Sequence, residues 1–332
     1  MNLAKANQMP SSLPTEERLL EARTSYIVAG VSRIKPFLAL SRTPHALLDL
    51  AAPALAALLW LGGLPPLKVT ALGLLTVFAG YTAVYALNDV VDHRVDREKL
   101  GRSTYTTADS YLDALFMRHP LAQGQVSYRE GLVWTAAWAL VALTGAYLLN
   151  PVCALIFLAG CILEAAYCLL LKVSHLRVLV SGVVKTLGGM AAVFAVDPEP
   201  EPTLLLLLLL WLFCWEIGGQ NIPADWHDVE EDRALGARTI PVRYGLAGAG
   251  KIVAVSLSLT VILSVAVFRA TPGKVPWLGA VVAVAWGSYL LLLPARRLLA
   301  TGGRDQAAAL FNRASYYPLA ILATVMACGL LL

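Results

Sequence analysis

Charged residues are scarce in this sequence. Only 14% of its 332 residues are Asp, Glu, Lys or Arg, and 58% are hydrophobic. A soluble domain usually has about 25% charged residues, which it needs to cover a surface that faces water. The composition therefore excludes an ordinary soluble globular protein and indicates an integral membrane protein.

Two other scarcities narrow the class of protein. The five cysteines are scattered through apolar segments without a CxxC pair, so neither a zinc site nor a disulfide framework is predicted. The formal net charge of +4 is too small and too dispersed to indicate nucleic-acid binding.

Residues 1–25 are polar and carry charges of both signs, so we expect a flexible cytoplasmic tail there and no secretory leader.

Nine apolar segments have about the 20 residues that a helix needs to cross a bilayer. They lie at 45–62, 68–88, 129–149, 151–171, 176–196, 203–221, 247–268, 276–294 and 315–332. The predicted fold is therefore all-α: a polytopic membrane protein with about nine transmembrane helices around a central cavity. Residues 26–332 are predicted to form one transmembrane domain, and residues 26–45 its interfacial entry. Trp211, Trp215 and Trp226 are interpreted as anchors at the membrane interface.

Basic residues predict the orientation of these helices. With nine spans the tail and the even-numbered loops share one side, and almost all Lys and Arg residues lie there. The opposite side has only Lys68, Arg269 and Lys274. We therefore expect a protein of the cytoplasmic membrane with the N-terminus inside and the C-terminus outside. Lys185 lies within a predicted span, and we expect it to face the cavity because a lone lysine in lipid is costly.

Two acid-rich segments at the ends of the second and sixth spans are the most informative features of the chain. We name Asn88, Asp92 and Asp96 the first acid stripe, because on a helix they share one face. The second acid stripe comprises Asn221, Asp225, Asp228 and Asp232, again at helical spacing. Acids at such spacing repel one another and need a compensating charge. Oxygen ligands of this kind suit Mg²⁺, with substrate phosphates completing its coordination shell. The alternative is that both segments are solvated acidic loops without a ligand.

These segments also resemble a known family. Asn88-Asp89-x-x-Asp92-x-x-x-Asp96 resembles the NDxxDxxxD motif of the UbiA-type intramembrane prenyltransferases, which include 4-hydroxybenzoate polyprenyltransferase. Asp228-x-x-x-Asp232, followed by Gly236 and Arg238, is similar to the second motif of that family. Residues 118–127 are similar to its RPLxxGxxS segment, with His119 inserted before the proline. The resemblance covers roughly residues 38–330.

The resemblance implies a Mg²⁺-dependent transfer of a prenyl group from a prenyl diphosphate to a small-molecule or lipid acceptor, with no nucleic acid as a partner. Metal ligands implied by matching positions are Asn88, Asp89, Asp92, Asp96, Asp225, Asp228 and Asp232. Residues implied in diphosphate binding are Asn88, Arg42, Lys172, Arg118 and Arg238. The residues implied to be catalytic are Asp92, Asp228, Lys172 and Arg42.

Some alternatives stay open at the level of sequence. A secondary transporter could also place acids at helix ends, although acids confined to one membrane face favour the enzyme. A phenolic acid, a quinone precursor, a porphyrin, a chlorin or a phospho-sugar lipid would all suit the framework as acceptor, with an aromatic compound or quinone precursor preferred. The segment 97–117 is longer than the family usually has, and we expect it to cap the cleft or to shape the acceptor site.

Overall fold

The computed structural model describes residues 33–102, 112–272 and 276–327, and every regular element in these ranges is a helix. The predicted tail at 1–25 lies outside the described residues, as do 26–32 of the predicted interfacial segment. The same is true of positions 103–111 in the long segment after the first acid stripe.

Fifteen helices follow one another along the described residues. They are α1 (33–40), α2 (Thr43–Asp49), α3 (Ala51–Leu61), α4 (Leu67–Leu100), α5 (Tyr128–Leu149), α6 (Pro151–Leu169), α7 (Arg177–Val196), α8 (Pro202–Trp215), α9 (Ile222–His227), α10 (Val229–Leu235), α11 (Ile240–Ala270), α12 (Pro276–Gly287), α13 (Leu293–Thr301), α14 (Arg304–Ser315) and α15 (Tyr317–Ala327). A 3₁₀ turn occupies Leu112–Ala114, and π-helical turns occupy Glu216–Asn221 and Ser288–Leu292.

Eight helical stretches of the described chain are long and apolar enough to cross a membrane. Three of them combine shorter elements, since α2 continues into α3, α8 into α9 and α12 into α13. The ninth predicted span, 315–332, corresponds to α15, and its last five positions lie outside the described residues. The all-helical membrane fold predicted from the composition is confirmed.

Local sequence explains where several helices begin and end. Ser127 and Glu130 form a capping box at the start of α5, in which each side chain satisfies a backbone N–H at the helix start. Asn150 caps α6 through Val152, and Pro151 occupies the first helical position, where no N–H is needed. Gly302 ends α13 in a left-handed conformation that glycine adopts without strain.

Helix α4 extends beyond the predicted second span. Its 34 residues correspond to roughly 50 Å of helix, against about 30 Å of hydrocarbon in a bilayer. The first acid stripe lies in its last four turns, so the helix continues through the stripe instead of ending before it. A rigid helix therefore fixes the spacing of Asn88, Asp92 and Asp96.

Small residues allow α7 to pack tightly on α8. A Cβ atom at Gly182 would lie 2.5 Å from the ring of Phe213, and one at Gly189 would lie 2.6 Å from Leu212. Close helix approach through glycine is typical of membrane bundles, where dispersion forces replace the hydrophobic effect between helices. As a result, α7 and the π-helical turn after α8 lie next to each other on one side of the bundle interior.

The main core surrounds the tryptophans of the sixth span. Trp211, Trp215 and Trp226 are at most 3% exposed, and the Trp215 indole donates a hydrogen bond to the Ala314 carbonyl. The interpretation of these three residues as interface anchors is therefore corrected: tertiary packing between α8, α11 and α14 buries them.

The turns between helices gather at two ends of the bundle. The described segments at 112–127, 170–176 and 228–239 lie at the end that carries both acid stripes, which we name the acidic end. At the opposite end Trp60 donates a hydrogen bond to Asp197 at 2.9 Å, and Asn150 donates one to the Phe194 carbonyl. All of the ionisable groups of the stripes therefore lie toward one end of the bundle.

Candidate active site

A cavity of about 530 Å³ enters the bundle beside the acid stripes. At the acidic end its wall includes Arg42, Asn88 and Asn221. Its other end is apolar and is lined by Val69 and Val196 among other side chains. The predicted central cavity is therefore present, and its polarity changes along its length from charged to hydrocarbon-like.

Asn88 connects three elements at the mouth of this cavity. Its Oδ1 accepts a hydrogen bond from Arg42 at 3.0 Å, and its Nδ2 donates to Glu164 of α6 at 2.7 Å. Glu164 is 8% exposed. The amide at the start of the first acid stripe is thus held in one orientation by a base on one side and an acid on the other.

Asp89 and Asp96 face a different neighbour from that of Asn88. One oxygen of each carboxylate and one ring nitrogen of His119 lie within 4.8 Å of one another, and His119 Nδ1 is 3.0 Å from Asp96. His119 has a positive φ of 48° in the turn before Pro120. The histidine that departs from the family pattern therefore supplies a counter-charge to two acids of the first motif.

The second acid stripe is paired with basic residues from three other segments. Asp225 lies 3.6 Å from Arg177, Asp228 lies 3.0 Å from Arg118, and Asp232 lies 3.2 Å from Lys99. Asn221 at the start of the stripe donates a hydrogen bond to the Tyr167 hydroxyl. Every member of the stripe is therefore directed into the molecule, which removes the alternative of a solvated acidic loop.

The second stripe does not lie on one continuous helix. Its first member, Asn221, ends a π-helical turn, and Asp228 leaves helical geometry at φ −95° and ψ 11°, between α9 and α10. The prediction of a single helical face is corrected here. The break leaves Asp232 N within 2.9 Å of the Asp228 carbonyl, so the carboxylates stay neighbours across it.

Two basic side chains bring the stripes together. Lys99 is three residues after Asp96 on α4 and forms an ion pair with Asp232 of α10. Arg177 pairs with Asp225, lies 3.8 Å from the Tyr167 ring centre, and also interacts electrostatically with Asp92. The ends of the second and sixth spans therefore meet, as the spacing of the motifs requires for a shared site.

Ionisation of the acids beyond the membrane spans depends on these partners. Burial favours the neutral acid at Asp228, but Arg118 and Lys99 outweigh it and lower its pKa. At Asp232 burial dominates over Lys99, and the pKa is raised. Burial disfavours charge on His119 too, yet Asp96 raises the pKa of the imidazole. The ionised form is thus favoured at some of these acids and disfavoured at others, and a bound cation would favour it at all of them.

Unpartnered oxygens test whether these residues suit a metal ion. Within residues 33–102, 112–272 and 276–327, no hydrogen-bond partner is present for three buried oxygens: Asn221 Oδ1, Asp225 Oδ2 and Asp228 Oδ1. Buried polar oxygens are normally satisfied, and a set made only of oxygen donors is what Mg²⁺ prefers. The second acid stripe therefore fits a divalent cation, and Asn88 of the first stripe lines the same cavity as Asn221.

The long segment after the first stripe contributes to the mouth of the cavity. Asp113, in the 3₁₀ turn, accepts a hydrogen bond from Arg42 at 3.0 Å and lies 2.5 Å from His45 Nδ1. Burial would raise the pKa of Asp113, but His45 and Arg42 lower it to about 2. The backbone N–H of Leu112 also donates to Asn312 of α14. The described part of this segment therefore covers the cavity mouth.

The remaining predicted basic residues occupy different places. Arg118 is 7% exposed and donates to Asp228 and Glu231 at the cleft. Lys172 is exposed and pairs with Glu98 at 2.7 Å, and exposed Arg238 donates to the Val173 carbonyl. Lys185 lines the cavity, as expected. The roles of Lys172 and Arg238 in binding diphosphate stay predictions, made for side chains on the surface of the loops.

Sequence reasoning missed several residues of the site. Lys99 could have been found from its spacing of three after Asp96, which puts it beside the stripe on a helix. Glu164 and Glu216 are acids within apolar runs, and such residues indicate a functional site in a membrane protein. Arg177 and Asp113 carry no comparable signal, because only the tertiary fold brings them to the stripes.

The fold and the site define a class of protein: a helical membrane bundle with an apolar cavity that opens beneath two converging acid stripes. The UbiA prenyltransferase family model matches residues 50–316. The chain belongs to this family, and it is a membrane-embedded prenyltransferase.

Individual relatives agree with this assignment. The chain is 28% identical over 240 residues to the digeranylgeranylglyceryl phosphate synthase of Thermococcus sibiricus (strain DSM 12597 / MM 739), covering 72% of this chain and 79% of the relative. The apo UbiA homolog of Aeropyrum pernix K1 shares its fold with a TM-score of 0.69 at 21% identity, over 86% of this chain and 98% of that one. A UbiA homolog of Archaeoglobus fulgidus bound to DMAPP and Mg²⁺ has a TM-score of 0.61 at 21% identity, over 86% and 99% of the two chains.

Proposed function

We propose that this protein transfers a prenyl group from a prenyl diphosphate to an acceptor inside the membrane, with Mg²⁺ bound between the two acid stripes. The observation that carries the proposal is the convergence of the stripes above an apolar cavity, with Lys99 and Arg177 between them. The Archaeoglobus fulgidus homolog of the same fold was obtained with DMAPP and Mg²⁺, which supports the same ligand pair here.

The acid stripes would hold the metal. Asn88, Asp92 and Asp96 supply oxygens on one side, and Asp225, Asp228 and Asp232 supply them on the other, with Asp89 beside Asp96. When bound, Mg²⁺ neutralises the negative charge that a diphosphate gains as it leaves. Lys99 and Arg177 form ion pairs with the second stripe. Because they lie between the two stripes, they would also be close to a diphosphate bound there.

Arg42 is the base best placed to receive the diphosphate at the cavity mouth. Its guanidinium contacts Asn88 and Asp113 and lies 3.7 Å from Asp89. A guanidinium provides several donors in a fixed plane, which suits phosphate oxygens. Arg42 itself has a positive φ of 43°, so its backbone turns sharply just where its side chain enters the site.

The cavity accounts for the other half of the reaction. Its apolar part binds the prenyl chain and excludes water from the allylic carbon after the C–O bond breaks. The acceptor enters the same space. An aromatic compound or quinone precursor is the preferred acceptor, and a glycerophosphate-type compound, in line with the name of the Thermococcus sibiricus relative, is the alternative. We assign the acidic end to the cytoplasm, because the basic loops lie there.

The proposal is tested with purified protein, Mg²⁺, prenyl diphosphates of several lengths and a panel of acceptors, with products identified by mass. Asp92→Asn and Asp228→Asn each remove one charge from the proposed metal site, and we expect each to lower transfer by at least about 100-fold, the range for lost electrostatic stabilisation at a reacting centre.

Glu230→Gln is the matched control, because Glu230 is 70% exposed and pairs with Arg233 on the surface of α10. It should leave transfer unchanged. Full activity in both aspartate variants would contradict the proposed metal site, and uptake of a solute into liposomes without prenyl diphosphate would favour a transporter instead.

A further inference from the structure

Below the mouth of the cavity lies a second polar group that diphosphate binding does not use. It comprises Glu216, Ser181, Lys185, Asp49, Tyr81 and Tyr85, which we name the deep polar cluster. Resting on the proposed prenyl transfer, we infer that this cluster binds the acceptor and selects an uncharged compound that donates a hydrogen bond to Glu216.

Glu216 is the member of the cluster with spare binding capacity. It is 6% exposed and lines the cavity. Its Oε1 accepts a hydrogen bond from Ser181 at 2.7 Å, whereas its Oε2 is buried and has no hydrogen-bond partner among the described residues. A buried carboxylate oxygen normally has a donor. An oxygen left without one at the wall of a cavity indicates a ligand that supplies the donor.

Lys185 forms its ion pair with Asp49 and not with Glu216. Its Nζ lies 2.6 Å from Asp49, which is 1% exposed and also accepts a hydrogen bond from Tyr85. The rings of Tyr81, Tyr85 and Trp215 surround the ammonium at 5.6–5.9 Å. The Lys185–Asp49 pair is thus enclosed by aromatic rings, and Glu216 Oε2 is left facing the cavity.

Tyr81 provides the second unsatisfied group. Its hydroxyl is buried, has no hydrogen-bond partner in the part of the chain that the structure describes, and interacts electrostatically with Glu216. The Tyr81 side chain also lines the cavity. Gly188 of α7 leaves the space for this hydroxyl, since a Cβ at that position would lie 2.8 Å from it. A ligand that reaches Glu216 therefore also meets a hydroxyl that can donate or accept.

The local backbone at Glu216 is consistent with a binding site. The residue begins the π-helical turn Glu216–Asn221, which also places Asn221 at the second acid stripe. Such turns inside α-helices are frequent at functional sites. One irregular turn therefore positions two residues: Glu216, the proposed acceptor contact, at its start, and Asn221, a proposed metal ligand, at its end.

Distance along the helices separates this cluster from the diphosphate. Tyr81 comes seven residues before Asn88 on α4, which corresponds to roughly 10 Å along the axis. An acceptor bound at Glu216 therefore lies beside the first part of the prenyl chain, with its reacting end toward the diphosphate and its far substituent on the cluster.

The charges of the cluster decide which substituent fits. Asp49 and Glu216 are two acids beside Lys185, with His45 3.5 Å from Asp49, and a carboxylate on the acceptor would offer Glu216 Oε2 no hydrogen for a hydrogen bond. A hydroxyl donates to Glu216 Oε2 without adding charge. The preferred acceptor is thus an uncharged compound with a hydroxyl at the end remote from its nucleophilic centre.

Three phenols that differ only at the para position test this inference. They are 4-hydroxybenzyl alcohol, 4-hydroxybenzoate and 4-methylphenol, which offer a donor, a carboxylate and a methyl group. Their dissociation constants are measured on full-length protein loaded with Mg²⁺ and geranyl S-thiolodiphosphate, an analogue that resists ionisation. We expect the alcohol to bind about tenfold more tightly than either of the others, as one satisfied hydrogen bond to a buried acceptor implies.

Glu216→Gln should reduce this preference and relax the exclusion of 4-hydroxybenzoate, and Gly188→Ala should reduce it by displacing the Tyr81 hydroxyl. Glu230→Gln is the charge-matched control and should keep the preference of the wild type. If Glu216→Gln fails to fold, Gly188→Ala carries the same test.

The inference is overturned if the wild type does not bind the alcohol, if it binds the three phenols equally, or if the variants keep its preference. Failure of the proposed function looks different: the wild type would then not bind the diphosphate analogue in Mg²⁺, whatever phenol is present.

Discussion

At the scale of single residues, the site is organised by basic side chains that occupy the space between two sets of acids. Arg177 is 5% exposed and stacked on Tyr167, and Lys99 reaches across from α4 to α10. Removing either would leave a buried carboxylate without a counter-charge, which is strongly destabilising. These bases therefore supply counter-charges to the stripes, and under the proposed function metal with diphosphate would compete with them for the same oxygens.

Asp113 offers a test of the cover over the cavity mouth. Its folded pKa of about 2 lies below the usual 3.8, so the ionised form is favoured by folding. Its contribution is complete above the usual pKa and is lost as pH falls through the folded value. We expect Asp113→Asn to lower the free energy of unfolding by about 2 kcal/mol at pH 7.5.

Denaturant unfolding of wild type and variant in detergent at pH 7.5 and pH 3 measures this contribution. The difference between the two proteins should shrink at the lower pH. A difference that is the same at both values, or absent at pH 7.5, would show that Asp113 is not held by His45 and Arg42.

At the scale of elements, the π-helical turn Glu216–Asn221 is the most consequential departure from regular structure. Apolar periodicity alone predicts a plain helix up to residue 221, and the sequence offers only Gly218 and Gly219 as a signal that neighbouring helices approach closely. The break at Asp228 is likewise invisible in the spacing of four, three and four. The helices themselves were predictable because each needs a long apolar run, whereas these irregularities depend on packing against α11 and α14.

Gly218 tests this turn. A Cβ there would lie 2.8 Å from the Ser256 Cβ and 3.0 Å from Leu257. Gly218→Ala therefore overpacks the contact with α11, and we expect a loss of about 2 kcal/mol in stability together with a loss of transfer activity, because Glu216 and Asn221 move with the turn. Gly63→Ala, where no atom lies within 4 Å, is the control. Stability and activity that both match the control would contradict this account of the turn.

At the scale of the whole molecule, the cavity joins a charged mouth to an apolar interior, and we propose that its depth sets the length of the prenyl chain. The motifs were sufficient to predict the stripes, the bundle and the cavity. They were insufficient for Arg177, Asp113 and His45, whose positions result from tertiary contacts between distant segments.

Gly80 lies eight residues before Asn88 on α4, roughly 12 Å along the axis, and lines the cavity beside Phe157. We expect Gly80→Phe to fill the deep part, keeping transfer of a dimethylallyl group and losing most transfer of a geranylgeranyl group. Rates with the two diphosphates check this, with Gly80→Ala as the control, since a Cβ there makes only ordinary contacts at 3.7 Å. Equal losses for short and long chains would place the prenyl group elsewhere.

The shared metal site is tested most directly by counting bound ions. Mn²⁺, a paramagnetic substitute for Mg²⁺, is titrated into the full-length protein with geranyl S-thiolodiphosphate, and bound ions are quantified by electron paramagnetic resonance. We predict that binding depends on the analogue, and that Asp92→Asn on one stripe and Asp228→Asn on the other each weaken it at least about tenfold, while Glu230→Gln does not. Unchanged binding in both aspartate variants would contradict a site built from the two stripes together.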